Sequence, residues 1–175
     1  MWCLTEDEAI AWSRAVGLTV QATGSRIRPA AKHGVTVPLS DLKWARLAWF
    51  STFVASTVQP FDECLLWITL SGVWSSSENW NLFYRLRESY GERRPLEQAP
   101  GHRFLAHEAV DLATFIGVAL LSGWDFYVIP NLGYATVFVS HDGFLHLYTD
   151  DEKAVVATRE TLKDAGIECT VEPGP

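Results

Sequence analysis

One histidine and one carboxylate are spaced for chemistry on a single helix. His107 and Asp111 lie four residues apart in 104–122, whose apolar periodicity predicts a helix. Residues at this spacing face the same side of a helix, so their side chains can meet. Such a pair can act as a general base with its orienting carboxylate, or supply two metal ligands. The HExxH spacing of zinc sites is absent and two ligands do not make a metal site, so an ordinary hydrogen-bonded pair is favoured.

Two further histidines flank a predicted β-hairpin. Strand patterns surround Asp142-Gly143, a dipeptide typical of a two-residue type I′ turn. With this loop, His141 pairs with Phe144, and His141 and His146 lie on one face of the hairpin. The two histidines are candidate metal ligands if a third ligand comes from elsewhere. The favoured alternative places one at the rim and the other over apolar surface, so no cofactor is predicted.

A local excess of arginine interrupts an otherwise acidic chain. The five residues are Arg85, Arg87, Arg93, Arg94 and Arg103. Tyr84 and Tyr90 lie among them, and arginine interleaved with aromatic rings can recognise a phosphate or a nucleotide base. Arg93, Arg94 and Arg103 are therefore candidate anion ligands. The favoured alternative is a solvated face, neutralised by neighbouring glutamates.

Aromatic side chains are abundant, with eight tryptophans and nine phenylalanines in 175 residues. Some of these rings must fill the core. Indole N–H groups need hydrogen-bond partners, so other rings are expected half-buried at a groove or interface. Trp74, Trp80 and Tyr84, around the start of a predicted helix, are the candidate residues for contact with a protein partner.

Composition narrows the range of partners and compartments. The net charge is −7 and the sequence pI about 5.2, which argues against non-specific binding to nucleic acid or anionic membranes and suits a basic protein partner. The three cysteines are scattered without metal-site spacing, which indicates reduced thiols. The chain shows no basic leader and no apolar run of about 20 residues, so a cytoplasmic location without a membrane partner is expected.

The elements that would position these residues belong to the α+β class. Helices are predicted at 5–17, 40–58, 78–90, 104–122 and 149–165. Strands are predicted at 18–22, 25–28, 35–39, 64–70, 124–129, 134–141, 144–149 and 167–171. Pro38 cannot donate to a strand ladder, so 35–39 is expected at a sheet edge. We expect one domain over 1–175, with a mixed or mostly antiparallel sheet packed by about five helices.

Four short segments carry a resemblance to known sequences. They are Trp74–Gly91, Ala99-Pro100-Gly101-His102, Gly123-Trp124-Asp125 and Ser140-His141-Asp142. Across roughly residues 60–150 the chain resembles a group of uncharacterised bacterial proteins. This resemblance implies a bacterial origin and one continuous domain, and it implies no catalytic activity.

These observations favour an interaction protein over an enzyme. The leading hypothesis is a cytoplasmic bacterial protein-binding module, such as an immunity or inhibitor protein that neutralises a toxin. One alternative is an enzyme or ligand-binding domain for a phosphorylated small molecule or nucleotide, with Arg93, Arg94 and Arg103 binding the anion and His107 with Asp111 moving a proton. Another is a structural subunit or homodimer that associates through Trp74 and Trp80. The sequence predicts neither the partner's identity nor the oligomeric state.

Overall fold

The computed structural model describes residues 1–21, 27–29, 31–39, 46–71, 80–133 and 135–174, without the side chain of Arg28. Its α-helices are α1 (Glu6–Ala15), α2 (Leu47–Thr57), α3 (Trp80–Ser89), α4 (Ala109–Leu121) and α5 (Glu152–Asp164). Its strands are β1 (Trp2–Leu4), β2 (Thr19–Val20), β3 (Ile27–Arg28), β4 (His33–Pro38), β5 (Glu63–Leu70), β6 (Gly101–Leu105), β7 (Asp125–Pro130), β8 (Ala135–Ser140), β9 (Phe144–Thr149) and β10 (Thr170–Pro173). The predicted turn at Thr23-Gly24, the predicted helix start at Ser40 and Trp74 lie outside the described residues.

Eight of these strands form one continuous antiparallel sheet. Its order is β1-β6-β5-β7-β8-β9-β4-β10, and β2 pairs with β3 in a separate two-stranded ribbon. The five described helices pack on this sheet, which confirms the predicted α+β class. Within the described residues, no helix combines the length and apolar character needed to cross a bilayer.

Local sequence signals set the helix ends. Thr5, where the first helix was predicted to start, forms a capping box with Glu8: the Glu8 amide donates to Thr5 Oγ1 and the Thr5 amide donates to Glu8 Oε2. The cap of α5 is Asp151, whose carboxylate accepts from the Lys153 amide, rather than the predicted Thr149. A glycine in the left-handed region follows each of four helices: Gly17, Gly91, Gly123 and Gly166.

The larger core lies between one sheet face and helices α2 to α5. Strand β5 is buried on both faces from Cys64 to Ile68, as its unbroken apolar run predicts. Phe83 of α3 packs edge-to-face against Phe115 of α4 at 5.2 Å and against Trp124 at 4.9 Å between ring centroids. These ring contacts join α3 and α4 and extend the core to the start of β7.

Helix α1 and the β2–β3 ribbon cover part of the opposite sheet face. Their buried residues pack with a second cluster that includes Leu65, Trp67, Tyr127 and Ile129. Gly101 permits the close approach, because a Cβ there would lie 3.0 Å from Leu4 Cβ and 3.2 Å from Ala9 Cβ. The cover therefore lies over β6, β5 and β7.

The segment before α4 differs from the sequence prediction. Residues 104–108 were expected to begin a helix, but Gly101–Leu105 is a strand between β1 and β5, followed by a 3-10 turn at Ala106–Glu108. His102 and Phe104 point into the larger core while Arg103 and Leu105 are partly exposed, which is the alternation of a strand. Pairing on both sides outweighed the local helical pattern.

Strand β4 is an interior strand, so the predicted edge position is wrong. It pairs with β9 along its whole length and with β10 from His33 to Thr36. Pro38 lies beyond the last residue that β10 reaches, so its missing N–H costs the sheet no hydrogen bond on that side.

The β8–β9 hairpin has a different register from the predicted one. Ser140 pairs with Phe144 and Phe138 pairs with His146, which leaves a three-residue loop from His141 to Gly143. A type I′ turn needs positive φ at both central residues, and here only Gly143 has it, at +83°. The one-residue change moves His146 from the face that it was predicted to share with His141 to the face of Phe138.

Candidate binding surface

The sheet face opposite helices α2 to α5 continues past the cover provided by α1. On strands β8, β9, β4 and β10 it presents a surface that we call the open face, formed by Thr36, Phe138, Phe144, His146, Tyr148 and Glu172. Phe144 is 43% exposed, and the rings of Phe138, His146 and Tyr148 are half-buried. Four aromatic rings that all reach solvent on one face form a contiguous surface suited to contact with another molecule.

A row of paired residues crosses from the covered region into the open face. Trp67, Tyr127, Phe138 and His146 are successive partners in the strand register. Their ring centroids lie 6.5, 4.5 and 6.2 Å apart. The first two rings are buried beneath the cover and the next two are partly exposed. The open face is thus the uncovered continuation of a packed aromatic row.

A second line of rings runs along β9. His146 stacks between Phe144 and Tyr148, with 6.2 Å between centroids on each side and interplanar angles of 28° and 14°. A hydrogen bond of 3.0 Å between His146 Nδ1 and Thr36 Oγ1 fixes the imidazole ring. This bond and the flanking rings hold the stack in one orientation, so little side-chain entropy remains to be lost on binding.

Burial sets the protonation of the two titratable rings on this surface. Burial lowers the pKa of His146, and the nearby Glu172 carboxylate opposes that shift. Burial and then the Glu172 charge raise the pKa of Tyr148. At neutral pH His146 and Tyr148 are therefore both uncharged, and Glu172 is the charged side chain among them.

The open face lacks cationic residues. The sequences of β4, β8, β9 and β10 contain no lysine or arginine. A cleft of about 390 Å³ borders Tyr148 and Thr136 at the base of the face. Asp150 and Asp151 line this cleft, although each also accepts a backbone hydrogen bond, from the Lys32 and Lys153 amides. The described strands of the open face are neutral to acidic, and the two aspartates at the border lie near one exposed lysine, Lys32.

The predicted pair on helix α4 is arranged differently. His107 lies exposed in the 3-10 turn before the helix. Asp111 interacts instead with Tyr90, whose hydroxyl pKa is raised by burial, by a hydrogen bond to Asp111 and by that carboxylate's charge. The base-and-orienter geometry that the helical spacing predicted is replaced by a Tyr90–Asp111 contact.

The predicted anion ligands have separate partners. Arg94 Nε donates to Glu92 Oε1 at 3.0 Å, and Arg94 Nη2 donates to Glu92 Oε2 at 2.5 Å. These hydrogen bonds are the main reason that the pKa of Glu92 falls to about 2. Arg103 lies 5.1 Å from the Trp2 ring centroid and 3.9 Å from Glu63 Oε2. Arg93 is exposed. The structure does not bring these arginines onto one anion.

The two predicted metal ligands are held in unrelated places. Asp125 Oδ1 accepts hydrogen bonds from the His141 backbone amide at 2.5 Å and from its Nδ1 at 2.8 Å. The hydrogen bond to Asp125, and then the charge of that carboxylate, raise the pKa of His141. His146 is bonded to Thr36 on the open face. Among the described residues, no group of three His, Cys, Asp or Glu side chains is arranged to hold a metal ion.

Two of the three predicted protein-contact residues, Trp80 and Tyr84, lie on helix α3 within the described residues. Trp80 is half-buried, edge-on to Trp124 at 5.3 Å and stacked with Tyr84 at 6.1 Å. The Tyr84 hydroxyl accepts from the Leu96 amide at 2.9 Å. Both rings pack against the larger core.

Sequence reasoning missed the open face itself. Every other residue from Phe144 to Tyr148 is aromatic, and Leu145 and Leu147 between them are buried. This alternation of a leucine face and an aromatic face was readable in the sequence. The wrong hairpin register placed His146 on the face of His141 instead of opposite Phe138, and so concealed the aromatic face.

Comparisons with known proteins give no guide to this surface. Protein-family models, curated protein sequences and solved structures were all searched, and none matches the chain. The resemblance to bacterial proteins drawn from short segments stays a prediction.

Proposed function

We propose that this protein is a protein-binding module whose open face docks a basic segment of a partner protein. The observation that carries the proposal is the stack of partly exposed aromatic rings held rigidly on a sheet face without lysine or arginine. Aromatic side chains are enriched in the cores of protein interfaces, where they supply large contact area at low entropic cost.

Charge distinguishes the class of partner. A nucleic acid needs cations along its phosphates, and β4, β8, β9 and β10 provide none. Glu172 on the face, with Asp150 and Asp151 at its border, suits arginine or lysine from a protein. Those cations can also lie over the rings of Phe144 and Tyr148.

The narrower proposal is a cytoplasmic immunity or inhibitor protein of a bacterium that neutralises a toxin. A net charge of −7 is complementary to a basic target and raises the rate of encounter with it. A phosphorylated ligand is disfavoured, because Arg94 and Arg103 are engaged by different groups. A second copy of this chain on the open face would be an outcome of the test below.

Co-expression with the products of neighbouring genes tests the proposal. We expect a complex that survives size-exclusion chromatography and is weakened at least tenfold by Phe144→Ser with Tyr148→Ser. The matched control is Leu82→Ser, because Leu82 is a similarly exposed apolar residue on α3, at 46%. Absence of any complex, or equal binding by the open-face variant, contradicts the proposal. Light scattering that shows a dimer abolished by the same variant assigns the face to self-association instead.

A further inference from the structure

A buried arginine in the larger core has donors without acceptors. The Arg87 side chain has no solvent exposure, and its Nη2 donates to the Ala99 carbonyl at 3.0 Å. Nε and Nη1 find no hydrogen-bond partner among the described residues. Buried polar groups in proteins are nearly always paired, and an unpaired guanidinium N–H is among the more costly exceptions.

Among the described residues, neither the carboxylate nor the imidazole near Arg87 neutralises its charge. The Arg87 charge helps to lower the pKa of Glu92, but the Glu92 oxygens accept hydrogen bonds from Arg94. The pKa of His102 falls to about 3, because of burial and then the Arg87 charge, so this imidazole is neutral. Tyr84 offers its ring face at 5.4 Å from Arg87 Cζ. Arg87 is therefore a buried positive charge that the described groups around it compensate only in part.

Cys3 lies beside this charge. It pairs with His102 in the β1–β6 register, so both side chains lie on the same sheet face as Arg87. The thiol is half-buried, unlike the fully buried Cys64. Burial raises the pKa of the Cys3 thiol, and the charge and hydrogen-bonding of Arg87 are the next largest influences, in the opposite direction. Arg94 Nη2 donates to the Cys3 carbonyl at 3.0 Å and holds this strand in place.

We propose that Cys3 is a redox-modification site, which hydrogen peroxide converts to a sulfinate whose oxygens accept hydrogen bonds from the free donors of Arg87. This inference does not depend on the open face.

The chemistry needs two equivalents of peroxide. In the first step the thiolate sulfur attacks one peroxide oxygen, the O–O bond breaks, and the products are a sulfenic acid and hydroxide, which takes up the proton that the thiol released and becomes water. In the second step the sulfenic acid loses its proton, the sulfenate sulfur attacks another peroxide, and the products are the sulfinate and hydroxide neutralised by that proton as a second water. Each step oxidises sulfur by two electrons and reduces one peroxide. The sulfinate supplies the negative charge and two acceptor oxygens that Arg87 lacks.

The resting thiol is mostly protonated, because burial outweighs the effect of Arg87. Only the thiolate attacks peroxide, so the first step is expected to be slow at neutral pH and to accelerate as the pH rises. The Cys3 thiol already interacts with Arg87, but a sulfinate adds a full negative charge and two acceptor oxygens for the donors Nε and Nη1.

Two isosteric variants of Cys3 test, without any oxidant, whether a negative charge beside Arg87 stabilises the protein. Cys3→Asp places a carboxylate where the sulfinate would lie, and Cys3→Asn is its uncharged counterpart. We expect Cys3→Asp to melt about 3–8 °C higher than Cys3→Asn at pH 7. The Asp pKa would be depressed by Arg87, so the difference should be present above its unfolded value and disappear as pH falls through its folded value. Cys169→Asp and Cys169→Asn, at the half-buried Cys169 beside the exposed Arg159, are expected to differ by less, because solvent screens that cation.

Peroxide treatment tests the modification directly. Peptide mass mapping should show two oxygen atoms added at Cys3 well before Cys64, and a melting temperature raised in step with that product. The oxidised Cys3→Ser variant should show no such rise. A melting temperature for Cys3→Asp equal to or below that of Cys3→Asn, or a Cys3 that oxidises with loss of stability, would overturn the proposal. Neither result would bear on partner binding by the open face.

Discussion

One face of the sheet contains two regions with the same kind of side chain and different surroundings. In the covered region, Trp67 and Tyr127 lie beneath α1 and the β2–β3 ribbon and are almost fully buried. In the open face, Phe138 and His146 continue the same row but remain partly exposed. Aromatic area contributes to folding where it is removed from water and remains available for association where it is not. The position of α1, rather than residue type, therefore decides which rings of this face are buried in the core and which remain exposed.

Truncating a ring in each region should give the largest contrast. Trp67→Ala should lower the free energy of unfolding by about 3–5 kcal/mol, because it leaves a cavity beneath α1. Phe144→Ala should change it by no more than about 1 kcal/mol, because 43% of that residue stays exposed in the folded protein. Urea unfolding measures both values. Equal losses would mean that Phe144 is part of the core and would remove the distinction.

A glycine pair tests the closeness of the cover. Gly101→Ala should cost about 1–3 kcal/mol, because its new Cβ would crowd Leu4 and Ala9 and push α1 outward. Gly34→Ala on the open side is the control, since a Cβ there meets Tyr148 only at 3.9 Å, an ordinary contact. Thermal unfolding of both variants measures the difference. A smaller loss for Gly101→Ala than for Gly34→Ala would contradict the close packing of α1.

Lowering the pH should weaken partner binding by the open face. His146 has a lowered pKa and is neutral at pH 7, so acidification through that pKa places a cation within the surface proposed to receive basic residues. We expect affinity for the partner to fall on the order of tenfold below that pKa, and His146→Gln to remove this component. Calorimetric titration across pH 7 to 5 provides the measurement. A partner that binds more tightly at acidic pH would refute the proposed charge complementarity.

The smallest expected effect concerns Glu172. Glu172→Gln removes the carboxylate that opposes the lowering of the pKa of His146, so that pKa should fall further. Affinity for a basic partner should fall by only about two- to five-fold, because the residue is exposed and screened by salt. The matched control is Glu160→Gln on α5. Imidazole NMR titration follows the pKa, and an unchanged value would show that Glu172 does not act on the face.

The elements governed by local signals were predictable from the sequence. The apolar run of β5, the capping box at Thr5 and the glycine after each of four helices all lie where the sequence places them. Strand β6 was not predictable in this way: only its last two residues fall in the predicted helix 104–122, its first three were assigned to no helix or strand, and pairing with β1 and β5 makes all five a strand.

Predicting the open face depended on one backbone angle that the sequence leaves undecided. Asp142-Gly143 is compatible with a two-residue or a three-residue loop, and the φ of Asp142 decides between them. That choice shifts the hairpin register by one residue, which moves His146 away from His141 and aligns it with Phe138. The arginines of the predicted anion site and the histidines of the predicted metal site do not lie together for a related reason. The distances between them depend on strand order rather than on spacing along the chain.

The most direct test observes the rings of both regions while the partner binds. Aromatic NMR signals recorded with and without the co-purified partner should shift for Phe144, His146 and Tyr148. The signals of Trp49, which is 38% exposed on α2, and of the buried Trp67 should stay in place. Shifts confined to Trp49 or Trp80, with the rings of the open face unaffected, would contradict the assignment of this surface to partner binding.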